Sequence, residues 1–232
     1  MSKRSQVHLE AAYQALIGMQ HEYDIFMRGV AEWFDKHPVF ASNSSPVIHS
    51  VRSRLKTEDH LKEKLRRKYT SRDPITRNNV FDKITDFAGV RVLHFHKQQF
   101  VEIQEQINEK VCGLKDWVLY EKPKAYTWDP ESASFFDKRG LDVQLKDSYY
   151  TSVHYVVKPR KDSPVSCEIQ VRTLFEEIWG EVDHSLNYPV ASDNASCVEQ
   201  LRVLAKLVGA GSRLVDSIYH AAGNGQLNRV TR

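Results

Sequence analysis

The chain has 232 residues, of which 41% are hydrophobic and 27% are charged, and its formal net charge is +3. This composition is ordinary for a globular protein and excludes wholesale disorder. No apolar run approaches the roughly 20 residues that span a bilayer, no apolar segment of a secretory signal follows the N-terminus, and the three cysteines are widely spaced. We therefore expect a cytoplasmic protein without a membrane partner, a disulfide framework or a zinc site.

The spacing of apolar residues predicts alternating helices and strands. Helical spacing is found in residues 5–36, 57–69, 80–85, 100–111, 175–186 and 196–222. Strand-like runs are 89–95, 117–126, 141–145, 151–158 and 165–173. Residues 38–46 are typical of a linker, Pro189 is expected to stop the fifth helix, and residues 223–225 the last one. The pattern predicts one α/β (α+β) domain with a mixed sheet of about five strands, flanked by helices at both ends.

Positive charge is concentrated near the start of this domain. Between Arg52 and Arg72 there are nine Lys or Arg residues and only three acids. A localised basic stretch suits polyphosphate or a nucleic-acid backbone. A solvated helix face is the alternative interpretation.

Two acidic residues lie beside predicted strands. Asp86 comes just before the strand at 89–95, and Glu168 lies inside the run 165–173, where apolar and polar residues alternate. A carboxylate within a strand is costly unless it is paired, solvated in a cleft or bound to a metal. Two such carboxylates meeting at one point would suit Mg²⁺. A salt bridge from Glu168 to Arg91 or Arg172 is the alternative.

Other polar residues could complete a phosphate-transfer site. Arg54, Lys56 and Lys64 could supply fixed positive charge, with Lys146 approaching from the other side. The sequence contains no glycine-rich phosphate loop, which disfavours P-loop and Rossmann enzymes. Alternation places three further residues on one face of a strand, where the tyrosine could stack on a base or pack at the sheet edge: Tyr150, Ser152 and His154.

The order of these residues resembles the synthetase domain of RelA/SpoT homologues, the alarmone synthetases. The resemblance covers roughly residues 50–190, and each fragment alone is weak whereas the ordered set is specific. Its motifs are Arg54-Leu-Lys56, Lys64, Asp86-x-x-Gly89-x-Arg91, Tyr150-x-Ser152-Val-His154, Glu168-Ile-Gln170-Val-Arg172-Thr173 and Asp183-His184. The resemblance implies three segments: an N-terminal helical extension and linker (1–45), a nucleotidyltransferase-like synthetase domain (46–190) and a C-terminal helical extension (191–232).

The resemblance also implies an activity, in which ATP donates its β,γ-diphosphate to the 3′-hydroxyl of GDP or GTP. Asp86 and Glu168 would bind Mg²⁺, and Glu168 would also accept the proton of the hydroxyl. ATP would be bound by Arg54, Lys56, Lys64 and Arg91. The acceptor would be bound by Lys146, Tyr150, Ser152, His154, Gln170, Arg172 and His184.

Two departures from the family pattern affect the acceptor side. The usual Gly-Tyr-Arg-Ser is Tyr149-Tyr150-Thr151-Ser152, and the usual Glu-His is Asp183-His184. Some relatives make adenosine alarmones or modify the 3′ end of tRNA as toxins, so these acceptors are the second hypothesis. A catalytically inactive sensor of nucleotides or RNA is the third. A homo-oligomer or a complex with an antidote protein also stays open.

Overall fold

The computed structural model describes residues 3–41, 46–187 and 194–230. Its helices are α1 (Lys3–Ile17), α2 (Gln20–Lys36), α3 (Glu58–Lys68), α4 (Val80–Lys83), α5 (Gln99–Asn108), α6 (Pro130–Asp137), α7 (Leu174–Asn187) and α8 (Ala195–Val230), and a π-helical turn over Glu109–Gly113 follows α5. Its strands are β1 (Ser50–Leu55), β2 (Ala88–His94), β3 (Val118–Leu119), β4 (Lys124–Thr127), β5 (Asp142–Leu145), β6 (Ser152–Lys158) and β7 (Cys167–Thr173).

The described strands form one mixed sheet of seven strands. Their order is β1-β2-β7-β6-β4-β5, and β3 pairs with β6. The pairs β2–β7 and β4–β5 are parallel, whereas β1–β2, β4–β6, β6–β7 and β3–β6 are antiparallel. The last two strands form an antiparallel pair, and the predicted mixed α/β fold class is confirmed.

The two faces of the central strands differ in burial: one packs in the hydrophobic core and the other is only partly covered. On β2, Val90 and Val92 belong to the main hydrophobic core, which also contains residues of α1 and α2. Tyr23 of α2, for example, is fully buried and meets Phe87 edge to face, with 5.0 Å between the ring centroids. The alternate residues of β2 point the other way because side chains alternate along a strand. That opposite face, which carries Arg91, is partly covered by α7.

The C-terminal helix packs through a separate, smaller apolar cluster. Trp179 of α7 is buried against Ala205 and Val208 of α8, and its indole nitrogen donates a hydrogen bond to the carbonyl of Leu201. In the part of the chain that the structure describes, no helix combines the length and the apolar character that crossing a membrane requires.

The structure corrects several sequence predictions. The helical segment 5–36 is two helices, because the chain turns at Gly18 and Met19. The sheet has seven strands instead of about five: β1 was not predicted, and the run 117–126 is divided between β3 and β4. Helix α6 was also missed.

The boundaries of the later helices differ as well. The expected stop at residues 223–225 does not end α8, which continues to Val230; an internal glycine lowers helix stability by only about 1 kcal/mol. The predicted stop at Pro189 and part of the predicted linker, residues 42–45, lie outside the described residues.

Candidate active site

Two carboxylates line one pocket on the open face of the sheet. Strands β2 and β7 are parallel, and their register places Gly89 beside Glu168. Asp86 lies immediately before β2. Both acids line a pocket of about 310 Å³, here called the carboxylate pocket, together with Arg52, Ser53, Arg54, Lys56, Gly89, Val90, Arg91, Gln170 and Glu181.

Asp86 is the centre of an ion-pair cluster. Its Oδ2 atom lies 3.1 Å from the Nζ atom of Lys56 and also contacts the Nζ atom of Lys64, which reaches in from α3. Burial raises the pKa of Asp86, but the charges of the two lysines outweigh burial and the opposing charge of Glu168, so the pKa stays below its ordinary value. Burial lowers the pKa of Lys64 in spite of its ion pair with Asp86.

One oxygen of Asp86 accepts no hydrogen bond from the described residues. The Oδ1 atom is buried and has no hydrogen-bond partner among the described residues. Orphaned buried acceptors are rare because they lose the hydrogen bonds of water without replacement. A bound cation would satisfy this oxygen.

Glu168 is held in its ionised form by its neighbours. Its Oε1 atom lies 3.2 Å from Nδ1 of His154, and the amide of Gln170 donates to its Oε2 atom at 2.6 Å. Burial raises the pKa of Glu168, but His154, Gln170 and the charge of Lys64 together lower it to about 2. The side chain is therefore a carboxylate throughout the neutral range.

A second pocket adjoins the first. This tyrosine pocket has a volume of about 350 Å³ and is lined by Arg54, Arg91, Tyr150, Gln170, Arg172, Gly180, Glu181, Asp183, His184 and Asn187. Four of these residues also line the carboxylate pocket: Arg54, Arg91, Gln170 and Glu181. The two pockets therefore form one continuous cleft.

Tyr150 links the two pockets through a histidine. Its hydroxyl lies 3.0 Å from Nε2 of His154, whose other ring nitrogen contacts Glu168. The guanidinium of Arg172 lies 5.8 Å from the centroid of the Tyr150 ring. Burial raises the pKa of Tyr150, so its hydroxyl stays protonated at neutral pH.

The backbone is in the left-handed region at one departure from the pattern of the family that the sequence resembles. Tyr149, which stands where the family has glycine, has a φ of 61°. Glycine adopts this left-handed conformation readily, whereas other residues do so at an energetic cost. The Tyr149 ring packs 5.1 Å from the ring of Trp128. Thr151, at the family's arginine position, is 7% exposed and its hydroxyl contacts that of Thr127.

Acidic residues of α7 compensate the arginines of the cleft. Arg91 contacts Glu177 and Glu181, each at 2.6 Å. Arg172, which is 4% exposed, lies 2.5 Å from Glu177. Helix α7 comes very near Arg172, because a Cβ atom at Gly180 would lie 2.7 Å from its Nη1 atom.

Most of the predicted site residues line this cleft or contact its two carboxylates, whereas Ser152 and Lys146 do neither, although Lys146 lies on Tyr126, whose ring is 4.8 Å from that of His154. Ser152 is 1% exposed, and its hydroxyl points to the carbonyl of Val171 within the sheet. Lys146 is exposed and lies over the ring of Tyr126, 4.6 Å from its centroid.

The sequence interpretation missed the two acids that hold Arg91. Glu177 and Glu181 are four residues apart, so a helix places them on one face. That spacing was visible in the sequence. The partner that this face meets depends on how α7 packs on the sheet.

The donor set of the cleft restricts the metals it could hold. No group of three or more His, Cys, Asp or Glu side chains suited to a metal is present in the described ranges. Zinc sites in proteins use at least three such ligands. Mg²⁺ is commonly held by one or two carboxylates together with substrate phosphates, and this matches Asp86 and Glu168.

Comparisons with known proteins agree with the geometry. The chain is 27% identical over 210 residues to a protein of Bacillus subtilis (strain 168) named GTP pyrophosphokinase YjbM, covering 88% of this chain and 84% of that protein. Its fold is similar to a GTP pyrophosphokinase family protein from Streptococcus pneumoniae, with a TM-score of 0.63, 22% identity, and coverage of 97% of this chain and 98% of the other.

A further solved structure is small alarmone synthetase 1 from Bacillus subtilis bound to its product pppGpp. The TM-score is 0.58 and the identity 23%, over 91% of this chain and 96% of that one. The model of the family described as "Region found in RelA / SpoT proteins" matches residues 53–193, more than half of the chain. The chain therefore belongs to the RelA/SpoT family.

Proposed function

We propose that the chain is an ATP-dependent nucleotide 3′-pyrophosphokinase that transfers the β,γ-diphosphate of ATP to the ribose 3′-hydroxyl of GDP or GTP. The observation that carries this proposal is that Asp86 and Glu168 line one pocket beside arginine and lysine side chains. Phosphoryl transfer requires positive charge fixed near the phosphates and a group that receives the proton of the nucleophile. The names of the relatives support the same reaction class.

We further propose Mg²⁺ as the cofactor, held by Asp86 and Glu168. The unsatisfied Oδ1 atom of Asp86 supports this assignment, because it lies in the same pocket as the second carboxylate. When bound, Mg²⁺ would supply positive charge that stabilises the phosphates being transferred. Lys56 and Lys64, now paired with Asp86, would be free to turn to the donor phosphates.

In the proposed reaction the 3′-oxygen of the acceptor forms a bond to the β-phosphorus of ATP. The bond from that phosphorus to the oxygen bridging to the α-phosphorus breaks, and AMP leaves. Glu168, which is ionised at neutral pH, accepts the hydroxyl proton. His154 and Gln170 orient its carboxylate. Tyr150, on the tyrosine-pocket side, would stack on the acceptor base.

Transfer of radioactive label from [γ-³²P]ATP tests the proposal. Purified protein and Mg²⁺ are incubated separately with GDP, GTP, ADP and uncharged tRNA, and products are separated by chromatography. Label is expected on a guanine nucleotide. Label only on ADP or on tRNA would transfer the proposal to those acceptors, and label on none of them would overturn it.

A matched pair of variants ties the activity to the pocket. Glu168→Gln preserves size and removes the proton acceptor, so the rate should fall by about 10²- to 10⁴-fold. Glu199→Gln is the control, because Glu199 lies on α8 in an exposed pair with Arg202. An unchanged rate in Glu168→Gln would contradict the proposed role of Glu168.

A further inference from the structure

The charges in the tyrosine pocket are nearly balanced. Three arginines line this pocket, namely Arg54, Arg91 and Arg172, and so do the acids Glu181 and Asp183. A site for a highly charged phosphate chain would be expected to carry uncompensated cations. Of these three arginines, only Arg54 has no ion pair with any residue that the structure describes.

The other two arginines are already engaged by α7. Glu177, 8% exposed, contacts both Arg91 and Arg172. Because it lies between two guanidinium groups, Glu177 is a buried structural partner of the arginines. Its charge is offset locally and would have little effect on a ligand in the pocket.

Glu181 differs from Glu177 in exposure. Its side chain is 57% exposed, contacts only one of these arginines, and lines both pockets at their junction. Burial raises the pKa of Glu181, but the hydrogen bond and charge of Arg91, with the charge of Arg172, together lower it below its ordinary value. An ionised carboxylate therefore lies where the carboxylate pocket and the tyrosine pocket adjoin.

We propose that Glu181 is a specificity-determining residue that limits the negative charge an acceptor nucleotide may carry, so that the cleft favours a nucleoside diphosphate over the corresponding triphosphate. This inference rests on the proposed function, because it assigns the tyrosine pocket to the acceptor. An additional phosphate places more negative charge near Glu181, and like charges in a partly exposed site repel measurably.

The test is the ratio of the dissociation constants of GTP and GDP, measured by calorimetry without ATP. Wild-type protein should bind GDP more tightly than GTP. The variant Glu181→Gln keeps an oxygen that can accept from Arg91 and removes only the charge. It should improve GTP binding relative to GDP by about fivefold to tenfold. Glu181→Lys should shift the ratio further in the same direction.

Glu199→Gln is the control for the loss of an exposed, paired acid that lines neither pocket, and its ratio should equal that of wild type. Because Glu181 is exposed, the wild-type preference should also weaken as salt is raised from about 0.05 to 0.5 M. An unchanged ratio in Glu181→Gln, or a wild-type protein that binds neither nucleotide, would overturn the inference.

Catalytic turnover separates this inference from the proposed function. The ratio of kcat/KM for GTP and GDP should follow the binding ratio in each variant. Nucleotide binding with the predicted ratio but without label transfer would contradict the pyrophosphokinase assignment alone. Label transfer with the same ratio in wild type and Glu181→Gln would contradict the role of Glu181 alone.

Discussion

Replacing Asp86 by Asn tests the ion-pair cluster of the carboxylate pocket. In the native protein one carboxylate serves two lysines, and the side chains of Asp86, Lys56 and Lys64 are only 13%, 22% and 16% exposed. The amide keeps the size of the side chain but removes its charge. Lys64 then stays in a mostly buried position without its carboxylate partner.

The expected loss of stability follows from this burial. Removing one partner of a buried ion pair costs about 3–5 kcal/mol, because the other charge is left uncompensated. Two effects reduce the loss here: the repulsion between Asp86 and Glu168 disappears, and Glu168 lies within the field of Lys64. We therefore expect the lower end of the range, about 3 kcal/mol.

Urea unfolding of metal-free protein measures this difference. Asp73→Asn is the matched control: it removes the same group from an ion pair with Lys83 in which Asp73 is 76% exposed, and such a pair contributes about 0–1 kcal/mol. The double variant Lys64→Met with Asp86→Asn should recover part of the loss. Equal effects of Asp86→Asn and Asp73→Asn would refute the reasoning from burial.

Three further predictions concern acid stability, the backbone at Tyr149 and the contact between α7 and the sheet. The pKa of Glu168 is lowered from 4.5 to about 2 on folding, so the stability that its carboxylate contributes is present above pH 4.5 and is lost as the pH falls to about 2. In urea titrations the difference in unfolding free energy between wild type and Glu168→Gln should therefore change by about 3 kcal/mol across this window. A difference that stays constant with pH would contradict this expectation. Tyr149→Gly should be about 1 kcal/mol more stable than Tyr149→Ala. Both variants lose the contact with Trp128, but only glycine adopts the positive φ at this position without strain. The reverse order of stability in thermal unfolding would show that the backbone is unstrained. Gly180→Ala should displace the guanidinium of Arg172. The KM of the acceptor should then rise, with little change in the KM of ATP. Equal changes in the two KM values would argue against a local effect.

The two carboxylates were predictable because their chemistry is unusual for their position. Glu168 lies in a strand whose alternate residues are apolar, and Asp86 directly precedes another strand. The sequence thus indicated two costly carboxylates near the sheet. What it did not contain was the parallel pairing of β2 with β7, which places Gly89 beside Glu168. Register between distant strands depends on packing across the whole sheet.

Strand β1 was missed for a reason connected with the site. In Ser50–Leu55 the residues Arg52 and Arg54 alternate with Ser53 and Leu55, and both arginines line the carboxylate pocket. Their charge made the segment resemble a solvated basic stretch. Functional residues thus concealed the local strand pattern, as is expected where a site overrides local preference.

The roles of the arginines were only partly visible in the sequence. A salt bridge from Glu168 to Arg91 or Arg172 was the alternative to a metal site. The structure pairs both arginines with Glu177 instead and leaves Glu168 to His154 and Gln170. Such partners are set by the packing angle of α7, which apolar periodicity does not define.

In the proposed mechanism Asp86 and Glu168 hold one divalent ion beside the donor phosphates. Binding of Mn²⁺, a paramagnetic substitute for Mg²⁺, can be measured by electron paramagnetic resonance in the presence of a non-hydrolysable ATP analogue. Wild-type protein should bind one ion, and Asp86→Asn and Glu168→Gln should each weaken binding by at least about tenfold, whereas Asp73→Asn should not. Wild-type affinity in both pocket variants would contradict the account.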